Sequence, residues 1–217
     1  MIDFIKLKVN HVDIDKLLRN PRLDFKANFS LSTSEIEDSI QIADIHFIKI
    51  IVKTTKVGKI VQLQGSLHKM FNSIKKVKAP QNKSFNGFNG NLFDIDEINF
   101  TIRFIEELLD TKSYYMKVEN IELGFNCKVE FNPKLFIKGL LYHKGKSFEF
   151  QRDHHYAQVV HQRFLIKIYN KGKQYGLPQE TLRLEIKFIK SIEIQKMQIK
   201  KLSDISCLLY TSPSPRD

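Results

Sequence analysis

Six stretches of the chain alternate apolar and polar residues at the period of two expected of half-buried strands: Asp3–Val9, Ala43–Lys53, Lys59–Lys69, Tyr115–Glu130, Arg163–Tyr169 and Thr181–Ile189. Two other stretches follow the helical period. Asp94 and Glu97 have the spacing of a capping box, and Phe93 and Ile98 that of a hydrophobic staple. Ile95, Ile98, Ile102, Ile105 and Leu109 then define one buried stripe. A second helix is predicted from Asn132, with Pro133 in its first turn, Phe136, Leu140 and Leu141 turned inward, and Gly145 as its stop. Between the strands and the first helix, APQNKSFNGFNGN (Ala79–Asn91) is a Gly/Asn loop. There is no internal repeat. The pattern predicts an α+β fold, a mostly antiparallel sheet with helices on one face and a polar, basic opposite face.

Alternation also sorts the strand residues by face. In the stretch around Val61–Lys69, Val61, Leu63 and Leu67 oppose Gln62, Gln64, Ser66 and His68. Along Ile121–Val129 the apolar side is Ile121, Leu123, Phe125, Cys127 and Val129, with Glu122, Asn126 and Lys128 opposite. Phe164, Ile166 and Ile168 oppose Arg163, Lys167, Tyr169 and Lys171, and Leu182, Leu184, Ile186 and Phe188 oppose Arg183, Glu185 and Lys187. In one sheet, His68, Glu122, Tyr169 and Glu185 would project from the same polar face. Two carboxylates and an imidazole on neighbouring strands are suited to hold Mg²⁺ or Mn²⁺. A nearby tyrosine could attack a phosphodiester polarised by that ion, with Lys167, Lys171 and Arg183 screening the phosphate charge.

Composition sets bounds on this picture. The last eleven residues, CLLYTSPSPRD (Cys207–Asp217), read as a translated sequencing adapter and are set aside. The expected domain is residues 1–206, continuing into a C-terminal portion that the chain lacks. Setting aside Arg216 and Asp217 leaves the net charge of +11 unchanged. With 42% apolar residues the chain can bury a core, and its charge attracts polyanions, of which nucleic acid is the commonest in the cytoplasm. Cys127 is the one cysteine left outside the adapter-like tail, which fits a reducing cytoplasm. The opening MIDFIKLKVNHVDID alternates rather than forming an apolar run, so it reads as a strand and not as a signal peptide, and no segment approaches a membrane span. A small-molecule enzyme has little support, because there is no thiol-based motif and GFNGN lacks the spacing and the lysine of a phosphate loop.

Several segments resemble, in the same order, those of replication initiators of the filamentous-phage gene II type and their plasmid relatives. They are MIDFIKLKV, LQGSLHKMFN (Leu63–Asn72), NIELGFNCKVEFNP (ending at Pro133), IKIYNKG and LRLEIK. The resemblance implies a rolling-circle DNA strand endonuclease and transferase with a divalent metal and a transient 5′-phosphotyrosyl link. Its partners would be a replication origin, as a single strand or hairpin, and a host helicase. Tyr169 and Lys171 would be catalytic, Glu122, Glu185 and His68 would hold the metal, and Lys69, Lys167, Lys173, Arg183 and Lys187 would contact DNA. Many such initiators have two metal-binding histidines flanking one apolar residue. This chain has DHHYAQVVH instead, with His154 and His155 adjacent and His161 six residues further on, and Glu122 in NIEL where relatives have an aspartate. Tyr114, Tyr115, Tyr142, Tyr156 and Tyr175 remain rivals to Tyr169, and Tyr156 follows His154 and His155, either of which could assist it. The alternative expectation is a DNA- or RNA-binding module without chemistry, in which Tyr169 stacks on a base and the lysines track the backbone.

Overall fold

Chain order begins with β1 (Ile2–Val9), α1 (Ile14–Leu18), β2 (Lys26–Ser30), β3 (Glu35–Ile45), β4 (Ile48–Thr55), β5 (Gly58–Ser66) and α2 (Leu67–Ile74). It continues with α3 (Ile95–Leu109), β6 (Met116–Lys128), α4 (Pro133–Lys138), β7 (Tyr142–His143), β8 (Lys146–Ser147), β9 (Glu149–Gln151) and β10 (Tyr156–Val160). β11 (Phe164–Asn170), α5 (Lys171–Tyr175), β12 (Thr181–Phe188), α6 (Ser191–Lys196) and α7 (Leu202–Thr211) complete it. These assignments come from a computed structural model that describes residues 2–30, 35–81 and 85–211. The expected Gly/Asn loop therefore lies partly outside the described residues, at 82–84. Ten strands form one antiparallel sheet in the order β2-β3-β4-β5-β1-β6-β12-β11-β10-β9, and β7 and β8 pair separately. The α+β architecture with its antiparallel sheet agrees with the expectation from the alternation.

The main core lies on the face that carries Ile5, Leu7, Val61, Leu63, Ile50 and Ile121. α3 covers it with Ile98, Ile102, Ile105 and Leu109 of the expected stripe, and α2, α6 and α7 add Met70, Ile194 and Leu202. The capping box at Asp94 and Glu97 is formed in both directions, so the start of α3 satisfies two of its own terminal groups. A smaller core gathers Ile168, Leu182 and Ala157 under Ile137 of α4.

Three expected elements differ. The predicted strand Ala43–Lys53 is a hairpin, because His46 and Phe47 both take positive φ (47° and 64°) and turn the chain between β3 and β4. Such turns usually carry Asn-Gly, so nothing in His-Phe announced it. The predicted strand to Lys69 stops at Ser66, whose hydroxyl accepts from the Lys69 amide and caps α2, with Leu67, Met70 and Phe71 buried at helical spacing. The helix from Asn132 ends at Gly139 rather than Gly145. Its buried residues are Pro133 and Ile137, while Phe136 and Leu141 are exposed and Leu140 packs at the margin of the small core.

Candidate functional site

The site is organised around β12. Arg183 and Glu185 lie two residues apart and share a face, and Arg183 Nε donates to Glu185 Oε1 at 2.6 Å. Across the register on β6, Gly124 stands opposite Glu185 and Asn126 opposite Arg183. Arg183 Nη1 donates to Asn126 Oδ1 at 2.8 Å. On β1 a register shift between Ile2 and Phe4 leaves Asp3 as an extra residue against β6. Such a bulge re-aims a side chain. The Asp3 carboxylate lies 3.0 Å from Arg183 Nη2 and accepts from Ser66 Oγ (3.0 Å) and Asn89 Nδ2 (2.6 Å).

β11 adds the remaining groups. The Tyr169 hydroxyl donates to Glu185 Oε1 at 2.6 Å. Lys167 reaches Glu122 Oε2 at 2.8 Å and Glu185 Oε2 at 3.4 Å. Lys171, the first residue of α5, is buried and donates to Asn89 Oδ1 at 2.5 Å and to the Tyr169 oxygen at 3.3 Å. A loop holds this end of the sheet together: Gly87 O accepts from Tyr175, Phe88 O from Asn72 of α2, and Gly90 O from Asn126 of β6. Asp3, Glu122 and Glu185, all buried, offer oxygens within 4.8 Å of one another, and together they could hold a metal ion.

Taking these groups out of water makes each charge depend on its neighbours. Burial by itself raises the Asp3 carboxyl, but Arg183, and after it Lys171, more than reverse this and hold it well below the usual carboxylate range. Burial and the Glu185 carboxylate push Glu122 up to about 7, against the pull of Lys167. Burial, followed by the charge of Glu185, raises the Tyr169 phenol well above its ordinary value. Burial and the neighbouring Arg183 lower the Lys171 ammonium to about 7. A phenol and a carboxyl that are both raised and an amine that is lowered thus lie within one hydrogen-bond network. Perturbed groups of this kind concentrate at functional sites.

The structure brings together Glu122, Glu185, Tyr169, Lys167, Lys171 and Arg183. It does not bring His68 into ligand range. Because α2 begins at Leu67, His68 is a helical residue whose Nε2 bonds Asn91 Oδ1 at 2.8 Å and whose ring stacks on Phe93 at 4.7 Å. Burial lowers its imidazole to about 4. Asp3 takes the third place. Its signal in the sequence was a carboxylate at the same parity as Ile5, Leu7 and Val9, a charge in an otherwise buried row. Arg183, expected to contact DNA, is instead wholly buried and clamps carboxylates. Lys69 lies on α2, largely withdrawn from solvent, and burial lowers its ammonium. Lys173 is exposed and meets His155 Nε2 at 2.7 Å, and the Lys187 ammonium lies over the Phe4 ring at 4.8 Å. Of the rival tyrosines, Tyr175 is buried against Asn89, Tyr142 is exposed, and Tyr156 stacks near Tyr169 with its hydroxyl on Gln158.

Neither a protein-family model nor a curated protein matches the chain. Among the described residues, no helix is long and apolar enough to cross a membrane.

Proposed function

We propose that the chain is a DNA strand endonuclease and transferase of the rolling-circle initiator kind, with Tyr169 as its nucleophile. The observation that carries this reading is the 2.6 Å bond from the Tyr169 hydroxyl to Glu185, one of three clustered carboxylates. The order of the gene II-like segments along the chain also supports it. The raised phenol needs a base at the moment of attack, and Glu185 Oε1 is already in position to accept its proton. As the phenolic oxygen bonds to phosphorus, the P–O3′ bond breaks, leaving a 5′-phosphotyrosine and a 3′-oxygen. That oxygen lies in line on the far side of phosphorus and takes its proton from water, while the Lys171 ammonium, which donates to the phenolic oxygen, stabilises the negative charge that oxygen carries as it attacks. The all-oxygen donor set of Asp3, Glu122 and Glu185 fits a hard cation, and burial followed by the Glu185 carboxylate raises Glu122, a cost that a bound cation would relieve. Held there, Mg²⁺ or Mn²⁺ would supply Lewis-acid stabilisation of the phosphate.

The test is incubation of each single Tyr→Phe variant with a labelled origin strand and Mg²⁺ or Mn²⁺. Loss of the covalent adduct in Tyr169→Phe alone is the expected result, and an undiminished adduct in that variant rejects the assignment. A second reading, a nucleic-acid-binding module without chemistry, is favoured by one observation. Each of the three carboxylates already has a cationic partner, Arg183 or Lys167. Salt-dependent binding that ignores divalent ions and leaves no covalent product would select it.

A further inference from the structure

The same strand that supplies Asp3 ends in a second basic feature. From Asp3 to Lys8 β1 runs about 17 Å at the rise of an extended strand. There Lys8 stands directly opposite Lys117 of β6, and Lys117 forms a backbone bridge with Lys201, where the segment after α6 replaces the departed β12. Val118 donates to the Lys200 carbonyl at 2.9 Å and fixes that segment. Three like charges thus face one another across adjacent backbones, an arrangement that destabilises a sheet unless an anion relieves it. Among the described residues, no ion pair involves Lys8, Lys117 or Lys201.

The row borders a groove of about 930 Å³ whose lining contains no acidic residue and includes Lys59 and Lys200 as well. Three rings form its other wall. His11 packs on Tyr115 with centroids 4.3 Å apart, and Tyr115 on Tyr114 at 4.1 Å. Tyr114 is 47% exposed at the end of this series. A large exposed phenol beside unpaired lysines has the chemistry of a single-stranded nucleic-acid site, where bases stack on aromatics and phosphates meet ammonium groups.

We infer that this groove binds single-stranded nucleic acid, with the backbone along Lys8, Lys117 and Lys201 and a base on Tyr114. The inference rests on the proposed nuclease reading only in the choice of polymer, and it needs neither Tyr169 nor a metal. Its test is fluorescence anisotropy of a labelled oligothymidylate of about twelve nucleotides. Protein carrying Tyr169→Phe, without divalent ions, serves as the parent, so that failure of strand cleavage and failure of groove binding are read separately. Adding Tyr114→Ala is expected to weaken binding about tenfold. Adding Lys117→Gln and Lys201→Gln is expected to weaken it and to reduce the logarithmic salt slope by roughly 0.7 per lysine. Circular dichroism and the melting temperature confirm that these exposed substitutions leave the fold intact. Unchanged affinity in both folded variants overturns the inference. So does a groove that responds to the lysine changes but not to Tyr114→Ala and is emptied equally well by inorganic polyphosphate.

Discussion

The guanidinium of Arg183 lies in the space that a side chain at Gly124 would occupy: a Cβ there would come within 2.2 Å of Nη2 and 2.6 Å of Cζ. Glycine is needed here for room, since Gly124 is not among the residues of positive φ. Gly124→Ala must displace a buried cation that holds both Asp3 and Glu185. Removing one partner from a buried ion cluster costs about 3–5 kcal/mol, and Gly124→Ala is expected to approach that loss in urea denaturation. A loss below about 0.5 kcal/mol, the usual range of a neutral surface change, would mean that the guanidinium moves aside freely.

Asp3 and His68 separate two versions of the metal centre. Asp3→Asn removes a ligand-range oxygen charge while keeping an acceptor for Ser66 and the shape of the side chain. It is expected to weaken Mn²⁺ binding tenfold or more in isothermal titration calorimetry. His68→Gln can keep the hydrogen bond to Asn91 and should leave the Mn²⁺ affinity unchanged, because the imidazole is engaged on α2. The reverse pattern would restore the histidine-ligand arrangement predicted from alternation.

Alternation identified the polar row on β6, β11 and β12 because β12 pairs with both β6 and β11 without a register shift, so parity alone fixed Glu122, Lys167, Tyr169, Arg183 and Glu185. It failed where the backbone departs from regularity. Ser66 both ends β5 and caps α2, which moves His68 from strand to helix. The bulge at Asp3 carries that residue out of its apparent apolar row, and an extra residue in a strand leaves no compositional mark. Asn89 reaches Asp3 across 86 positions from a loop that periodicity cannot place. Burial was misjudged for a related reason. As a cation on a polar face Arg183 is expected to screen phosphate and contact DNA, whereas the loop Gly87–Asn91 and α5 bond across the end of that face and Arg183 is buried.

Two buried groups give opposing pH dependences of stability. Glu122 has a raised folded-state value, about 7 against an ordinary 4.5, so its contribution is full below 4.5 and is lost as pH rises through about 7. His68 is depressed from 6.5 to about 4, so the folded state gains from it as pH rises across that window. Glu122→Gln removes the first trend and leaves the second. The variant is expected to grow more stable from about pH 4 to 6.5, where the parent changes less. Parallel denaturation curves for the two proteins at each pH would show that Glu122 does not hold its proton in the fold.

Lys171 makes the last prediction, because its position ties stability and chemistry to one ammonium. Its folded-state value of about 7 against an ordinary 10.5 means that the unfolded chain binds the proton more tightly between those limits. Stability from this group therefore rises with pH from about 7 to 10.5, by at most ~1.4 kcal/mol per unit. Lys171→Met keeps much of the buried volume, loses the charge, and is expected to flatten that rise. The same ammonium donates to the attacking Tyr169 oxygen, so adduct formation in the parent should fall as pH climbs through about 7, where the ammonium is lost. In Lys171→Met the adduct should form slowly and without that fall. A variant that keeps the parent's full pH profile would mean that the ammonium does not assist the phenol and would leave Lys171 a structural role through its bonds to Asn89 and Tyr169.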